Sequence, residues 1–203
     1  DDEILALAGI VKTPEYVEFC GSMTAIIRDR KVDFSPLIHG LAINAPTIRE
    51  LNIKALPGVK RVLFFENKAN YVDYVFKKRT DDEFLVYHGG FYSPVKGLFF
   101  KKLYDIARTQ NILFFHWGDM DLGGFQIFTR LKKQIIPELK PYRMDVESII
   151  AMKSFWQAFD DKYAKALEKL LNQKDYQDFH DLIRLMLKER ARLEQEAFLS
   201  STQ

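Results

Sequence analysis

The chain has 203 residues, 47% of them apolar and 29% charged, with a formal net charge of +2. This suits one sizeable soluble domain, or one domain with an added helical part, and the near-neutral balance neither announces nor excludes nucleic-acid binding, because a local basic patch can be offset by acids elsewhere. The lone cysteine, Cys20, excludes an intrachain disulfide and a cysteine-based zinc cage and fits a reducing, cytoplasmic setting, while no apolar run approaches the roughly 18 residues of a membrane span.

The opening Asp1, Asp2 and Glu3 do not read as a signal peptide. The missing initial Met points to a piece of a longer protein. Residues 1–56 are mixed, with a helix or strand near 22–28 and a helix near 46–51. The Leu56-Pro57-Gly58 turn then punctuates the chain. A regular alternation follows. Arg61–Phe65 is a run of β-forming residues ending in Glu66-Asn67-Lys68, and a helix is predicted over 70–78. A second strand over 84–87 ends in His88-Gly89-Gly90. Residues 93–109 read as an amphipathic helix, with Ser93 as N-cap and Pro94 in its first turn. A third strand over 112–117 ends in Gly118-Asp119-Met120-Asp121. A helix over 124–136 and a short strand over 140–144, ending at Asp145, complete the rhythm. Residues 148–200 contain neither Pro nor Gly and read as two or three helices, with a break near 172–175.

Strand–helix alternation of this kind implies βαβ units. The expected fold is α/β: a short, mostly parallel four-stranded sheet flanked by helices, with a helical C-terminal tail. The expected parts are an N-terminal segment (1–56) packed on the core, an α/β core (57–147) and a C-terminal helical extension (148–203).

In a parallel sheet all strands end on one edge, and ligands bind outside it. Glu66, His88-Gly89-Gly90, Asp119 with Asp121, and Asp145 each follow a predicted strand. Such a carboxylate cluster is what Mg²⁺ wants, as a hard cation with oxygen ligands that keeps several waters. Asp119 and Asp121, two apart, point the same way in extended backbone. A metal held there would polarise a phosphoryl oxygen, and Glu66 could hold a second ion or act as general acid or base. Asp-x-Asp alone is equally a solvated loop or a helix cap, and Asp145 is equally an ordinary cap. Lys68 and the His88-Gly89-Gly90 turn are candidate substrate contacts. A solvated lysine and a loop-bonding histidine are the plainer readings, and His116 reads as a packed histidine. The runs Lys77-Lys78-Arg79, Lys101-Lys102 and Lys132-Lys133 could line a DNA groove or be solvated helix faces.

Glu66-Asn67, Tyr87-His88-Gly89-Gly90-Phe91 and the string from His116 to Phe125 resemble a Toprim domain. The likeness is to the family of the Wadjet nuclease subunit JetD, C-terminal part, related to the topoisomerase VI A subunit. Pro141-Tyr142-Arg143-Met144-Asp145, Arg192-Leu193-Glu194-Gln195-Glu196, Gly9-Ile10, Thr13-Pro14-Glu15 and Val32-Asp33 extend it over most of the chain. The resemblance implies a Toprim-like fold and a Mg²⁺-dependent DNA endonuclease, with Mn²⁺ able to substitute. Glu66 would take the Toprim glutamate's place, and Asp119 and Asp121 those of the metal-binding aspartates. It also implies DNA and the subunits of a bacterial SMC–kleisin plasmid-defence complex as partners, with a homodimer a further option. Two other functions stay open. One is a topoisomerase-like subunit acting through a tyrosine outside this chain. The other is a non-catalytic interaction domain whose acidic rim is vestigial or binds a partner.

Overall fold

The computed structural model describes residues 13–200 together with residues 7 and 9. Asp1, Asp2, Glu3 and Ile10, invoked above, lie outside the described residues. The elements run β1 (Tyr16–Cys20), β2 (Thr24–Ile27), β3 (Arg30–Asp33), β4 (Leu41–Asn44), α1 (Ala45–Glu50) and β5 (Asn52–Ala55). Then come β6 (Arg61–Phe65), α2 (Lys68–Lys77), β7 (Glu83–Tyr87), α3 (Pro94–Ala107), β8 (Leu113–Trp117) and α4 (Leu122–Gln134). The last part holds β9 (Lys140–Pro141), α5 (Val146–Ala151), β10 (Gln157–Ala158), α6 (Asp161–Leu171), α7 (His180–Glu189), β11 (Ala191–Arg192) and α8 (Ala197–Ser200).

The expected single four-stranded sheet is corrected. Among the described residues there are three sheets, of six, three and two strands. The six-stranded one has the order β4-β1-β7-β6-β8-β9. Its β7, β6, β8 and β9 are mutually parallel, but β1 pairs antiparallel with β7 and β4 antiparallel with β1, so the sheet is mixed. Both extra strands come from the segment before residue 57, where alternation is short and interrupted by turns. Strands β3, β2 and β5 form a separate antiparallel sheet. The tail also departs from an all-helical extension: β10 and β11 pair antiparallel, and a bridge joins Met120 to Leu193.

Strands β6 and β7 are buried on both faces, as apolar runs without alternation require. Phe64, Phe65, Phe99 and Phe100 are fully buried and Phe114 nearly so, while Phe115 packs at the margin of the core. The helix from Pro94 starts where its cap predicts, whereas α2 and α4 start at Lys68 and Leu122, two residues ahead of the expected 70 and 124, because Asn67 and Asp121 cap them. Ser93 accepts from the Lys96 N–H ahead of Pro94, Asn67 accepts from Ala69 and Asn70, and Asp121 caps α4.

The basic runs do not form an unpaired groove. Lys77 and Lys78 both reach Asp73 at 2.7 Å, Lys101 pairs with Asp105, and Lys132 and Lys133 pair with Asp178 and Asp175. Lys102 instead donates to the carbonyls of Ile48, Arg49 and Leu51 at 2.6–3.0 Å, closing the C-terminal end of α1.

Candidate acidic site at the strand ends

Parallel register sets the geometry. Phe65 stands opposite both Tyr87 and Trp117, so Glu66, His88 and Gly118 emerge side by side. Glu66 N–H donates to the Trp117 carbonyl at 3.0 Å, and His88 N–H to the Phe65 carbonyl at 3.0 Å. The chain then turns at Gly118, and the Asp119 N–H meets Glu66 Oε2 at 3.3 Å. A Cβ on Gly118 would collide with that same carboxylate and with His116 Cε1. A Cβ on Gly124 would collide with the Asp119 backbone carbonyl. Both glycines are therefore conditions for the close approach of strand end and helix start.

The tail supplies residues that spacing did not assign. The Met120–Leu193 bridge carries two backbone hydrogen bonds and brings Glu194-Gln195-Glu196 over the rim. The Gln195 N–H donates to Asp119 Oδ1 at 2.7 Å. Its side-chain Oε1 accepts from the Asn67 N–H at 3.0 Å, and its carbonyl accepts from the Asn70 side chain at 2.9 Å. Glu196 accepts from the Asn67 side chain. Glu194 and Glu196 thus sit in a turn, within a stretch expected to be helical. The available signal was the Arg192–Glu196 string itself, without a spacing rule to attach it to the aspartates.

The electrostatics follow. Burial raises the Glu66 carboxyl to about 8, and the neighbouring charges of Asp119, Asp121 and Glu194 push the same way. Burial also raises Asp119, to about 7, with Glu194, Asp121 and Glu196 adding to the effect against the opposing Gln195 hydrogen bond. Asp121 is engaged otherwise. One oxygen accepts from Gly124 N–H at 2.7 Å, and the other lies 3.5 Å from Arg192.

The remaining candidates separate from this group. Asp145 caps α5, accepting from Ser148 N–H at 2.7 Å. Lys68 pairs with Glu18 and lies over the Tyr71 and Tyr87 rings, at 5.4 and 4.9 Å. His88 is 1% exposed. Its Nδ1 faces the Gly90 carbonyl at 2.9 Å, and its Nε2 meets His116 Nε2 at 3.0 Å. Nδ1 must donate to the carbonyl, so His88 Nε2 accepts and His116 Nε2–H donates. His116 Nδ1 is then a buried acceptor without a partner among the described residues. Gly89 and Gly90 form the turn above this pair, and Lys96 Nζ donates to the His88 carbonyl at 2.8 Å.

Residues 22–202 match the family described as "Wadjet protein JetD, C-terminal". The chain belongs to the JetD C-terminal family. It is 30% identical to "Wadjet protein JetD" of Bacillus cereus (strain Q1) over 199 residues, covering 98% of this chain and 48% of that protein. It is also 26% identical to "Protein HypA" of Clostridium perfringens (strain 13 / Type A) over 138 residues, or 66% of this chain and 13% of that protein. The chain thus spans about half, or less, of the length of the curated relatives it matches.

The expectation of a Mg²⁺-dependent Toprim nuclease is corrected on the donor set and on the match. Among the described residues, the carboxylates that gather as a group of three with oxygens mutually within 4.8 Å are Asp119, Glu194 and Glu196. Glu66, Asp121 and Asp145, three of the four expected ligands, are not in that group. Glu66 Oε2 faces a backbone N–H, Asp121 is a helix cap beside an arginine, and Asp145 is a cap of another helix. One of the three acids that do meet, Glu196, is exposed. The donors do not fit the Mg²⁺ or Mn²⁺ centre expected from sequence.

Proposed function

We propose that this chain is a non-catalytic interaction domain of a Wadjet-type assembly, and that its acidic rim receives a cationic segment of a partner protein. The observation that carries this is the gathering of Glu66, Asp119, Asp121, Glu194 and Glu196 at one strand end, with Arg192 in loose contact, 3.5 Å from both Asp121 and Glu194. Like charges brought together and half-buried cost free energy in the isolated chain. A lysine or arginine presented by a partner offsets that cost and releases the protons held by Glu66 and Asp119. A phosphate backbone would be repelled at the same face. In this reading the rim acids Glu66, Asp119 and Asp121, together with Glu194 and Glu196, face the partner's cation. Lys68, paired with Glu18, and the His88-Gly89-Gly90 turn follow neighbouring strand ends and are secondary candidates for contact with the partner.

JetD family membership supports DNA and SMC–kleisin-type subunits as the partner class of the whole assembly, and a cytoplasmic setting for it. No helix among the described residues is long and apolar enough to cross a membrane.

The test is binding of this chain to the SMC and kleisin subunits, measured by calorimetry at two salt concentrations. The Glu194→Lys, Glu196→Lys double variant should bind at least about tenfold more weakly, with a smaller salt dependence. Unchanged affinity would overturn the docking role. Divalent-metal-dependent cleavage of plasmid DNA by this chain, lost in Asp119→Asn, would overturn the non-catalytic reading.

A further inference from the structure

At the opposite end of the six-stranded sheet from the acidic rim lies a cleft of about 450 Å³. It is bounded by the segment before β6 (Gly58, Lys60), the segment before β7 (Arg79, Asp81) and the loop after β1 (Ser22), with Leu37 and Ile38 as an apolar wall. Arg79 is its distinctive feature. Its side chain is only 11% exposed, yet its polar contacts are long: 3.5 Å to the Thr80 carbonyl and 3.5 Å to Asp81, which is fully exposed. Lys77 and Lys78, its neighbours in sequence, each hold Asp73 at 2.7 Å, so Arg79 is left without a close acid.

A guanidinium carries five N–H donors in a fixed fork. Burying one without a short, bidentate acceptor is costly, and a solvated carboxylate 3.5 Å away offsets little of that cost. Here the fork lines an open cleft. Leu37 and Ile38, 46% and 58% exposed, give the same cleft an apolar side. Gly58 has no neighbouring heavy atom where a Cβ would stand, so the space is not filled from the protein.

We infer that this cleft binds a carboxylate or phosphate group carried on an apolar body, with Arg79 gripping the oxyanion and Leu37 and Ile38 covering the body. Bidentate pairing of guanidinium with carboxylate or phosphate supplies both geometry and strength. The ligand's oxyanion displaces Asp81 from its loose contact. Asp82 also lines the mouth, 3.5 Å from Lys60, so that pair is close to neutral and Arg79 is the group that grips the anion.

The experiment uses the whole chain with N-acetyl-leucine and phenyl phosphate as probes and N-acetyl-leucinamide as the uncharged control, read by calorimetry and thermal shift. At least one anionic probe should bind with a Kd below about 1 mM, and the amide should not. Binding of N-acetyl-leucine alone identifies a carboxylate source, and of phenyl phosphate alone a phosphate source. Arg79→Gln should weaken binding at least about tenfold. Asp81→Asn, fully exposed and safe for folding, should tighten it about threefold by removing the competing acid. No binding of either anion, equal binding of the amide, undiminished binding by folded Arg79→Gln, or no gain in Asp81→Asn would each overturn the proposal.

Discussion

The backbone N–H of Gln195 donates to the Asp119 carboxylate at 2.7 Å, across 76 positions of sequence. This bond fastens the tail to the strand end and opposes the rise in the Asp119 pKa that burial and the neighbouring acids produce. It also places Glu194 and Glu196 where their charges are felt.

Stability should fall as pH rises through neutrality. Glu66, raised from 4.5 to about 8, and Asp119, raised from 3.8 to about 7, keep protons in the folded chain that the unfolded chain has already released. The folded state therefore binds more protons between the unfolded and folded values, and the slope of stability against pH is negative there. The melting temperature should drop between pH 6.5 and 8, and Glu66→Gln should flatten that drop. A wild-type profile that rises over this interval contradicts the assignment.

The histidine pair should act in the opposite sense at lower pH. Burial lowers His88 from 6.5 to about 4 and holds His116 well below the ordinary imidazole value, with the neighbouring His88 adding to the burial. The unfolded chain then takes up protons that the folded chain refuses, so stability is lost as pH falls below about 6.5. Nitrogen-15 NMR at pH 6 should find both rings neutral, His88 protonated at Nδ1 and His116 at Nε2. A charged imidazolium at either position would show that the contact is not the one described.

Glu83 is fully buried and holds three partners: Arg61 at 2.7 Å, Tyr74 at 2.8 Å and the Thr80 N–H at 2.8 Å. Glu83→Ala leaves those donors without their shared acceptor and should cost about 3 kcal/mol in denaturant unfolding. A loss under about 1 kcal/mol would mean that water readily replaces the carboxylate.

Gly124→Ala should be worse tolerated than Gly118→Ala. The new methyl at 124 meets the Asp119 backbone, which cannot step aside, whereas at 118 part of the obstacle is the Glu66 carboxylate. The first should cost more than about 2 kcal/mol. Equal melting temperatures for the two variants would refute the distinction.

The parallel strands were legible because each is an apolar run closed by a polar or glycine stop, and the caps at Asn67, Ser93, Asp121 and Asp145 explain the helix starts. Strands β1 and β4 were not. Their pairing is long-range, and strand preference in short segments depends on neighbours that sequence alone does not name. Glu66 and Asp119 were expected at one sheet edge because each follows a strand, and the Asp119 N–H lies 3.3 Å from Glu66 Oε2. That Glu194 and Glu196 stand with Asp119 while Asp121 and Asp145 cap helices was not legible, because a helix cap and a metal ligand look identical as an isolated aspartate. The tail bridge at Leu193 has no local signature.

Strand β1 lies between β4 and β7. One of its partners arrives some 20 residues later in the chain, and the other more than 60 residues later. During synthesis it can form a pair with β4 early, but that pair keeps a bare edge until residues 83–87 emerge. Closing so long a loop is entropically slow, and an exposed edge is a template for wrong partners in the meantime. The nascent chain is thus most vulnerable to aggregation in the interval between making β4 and making β7.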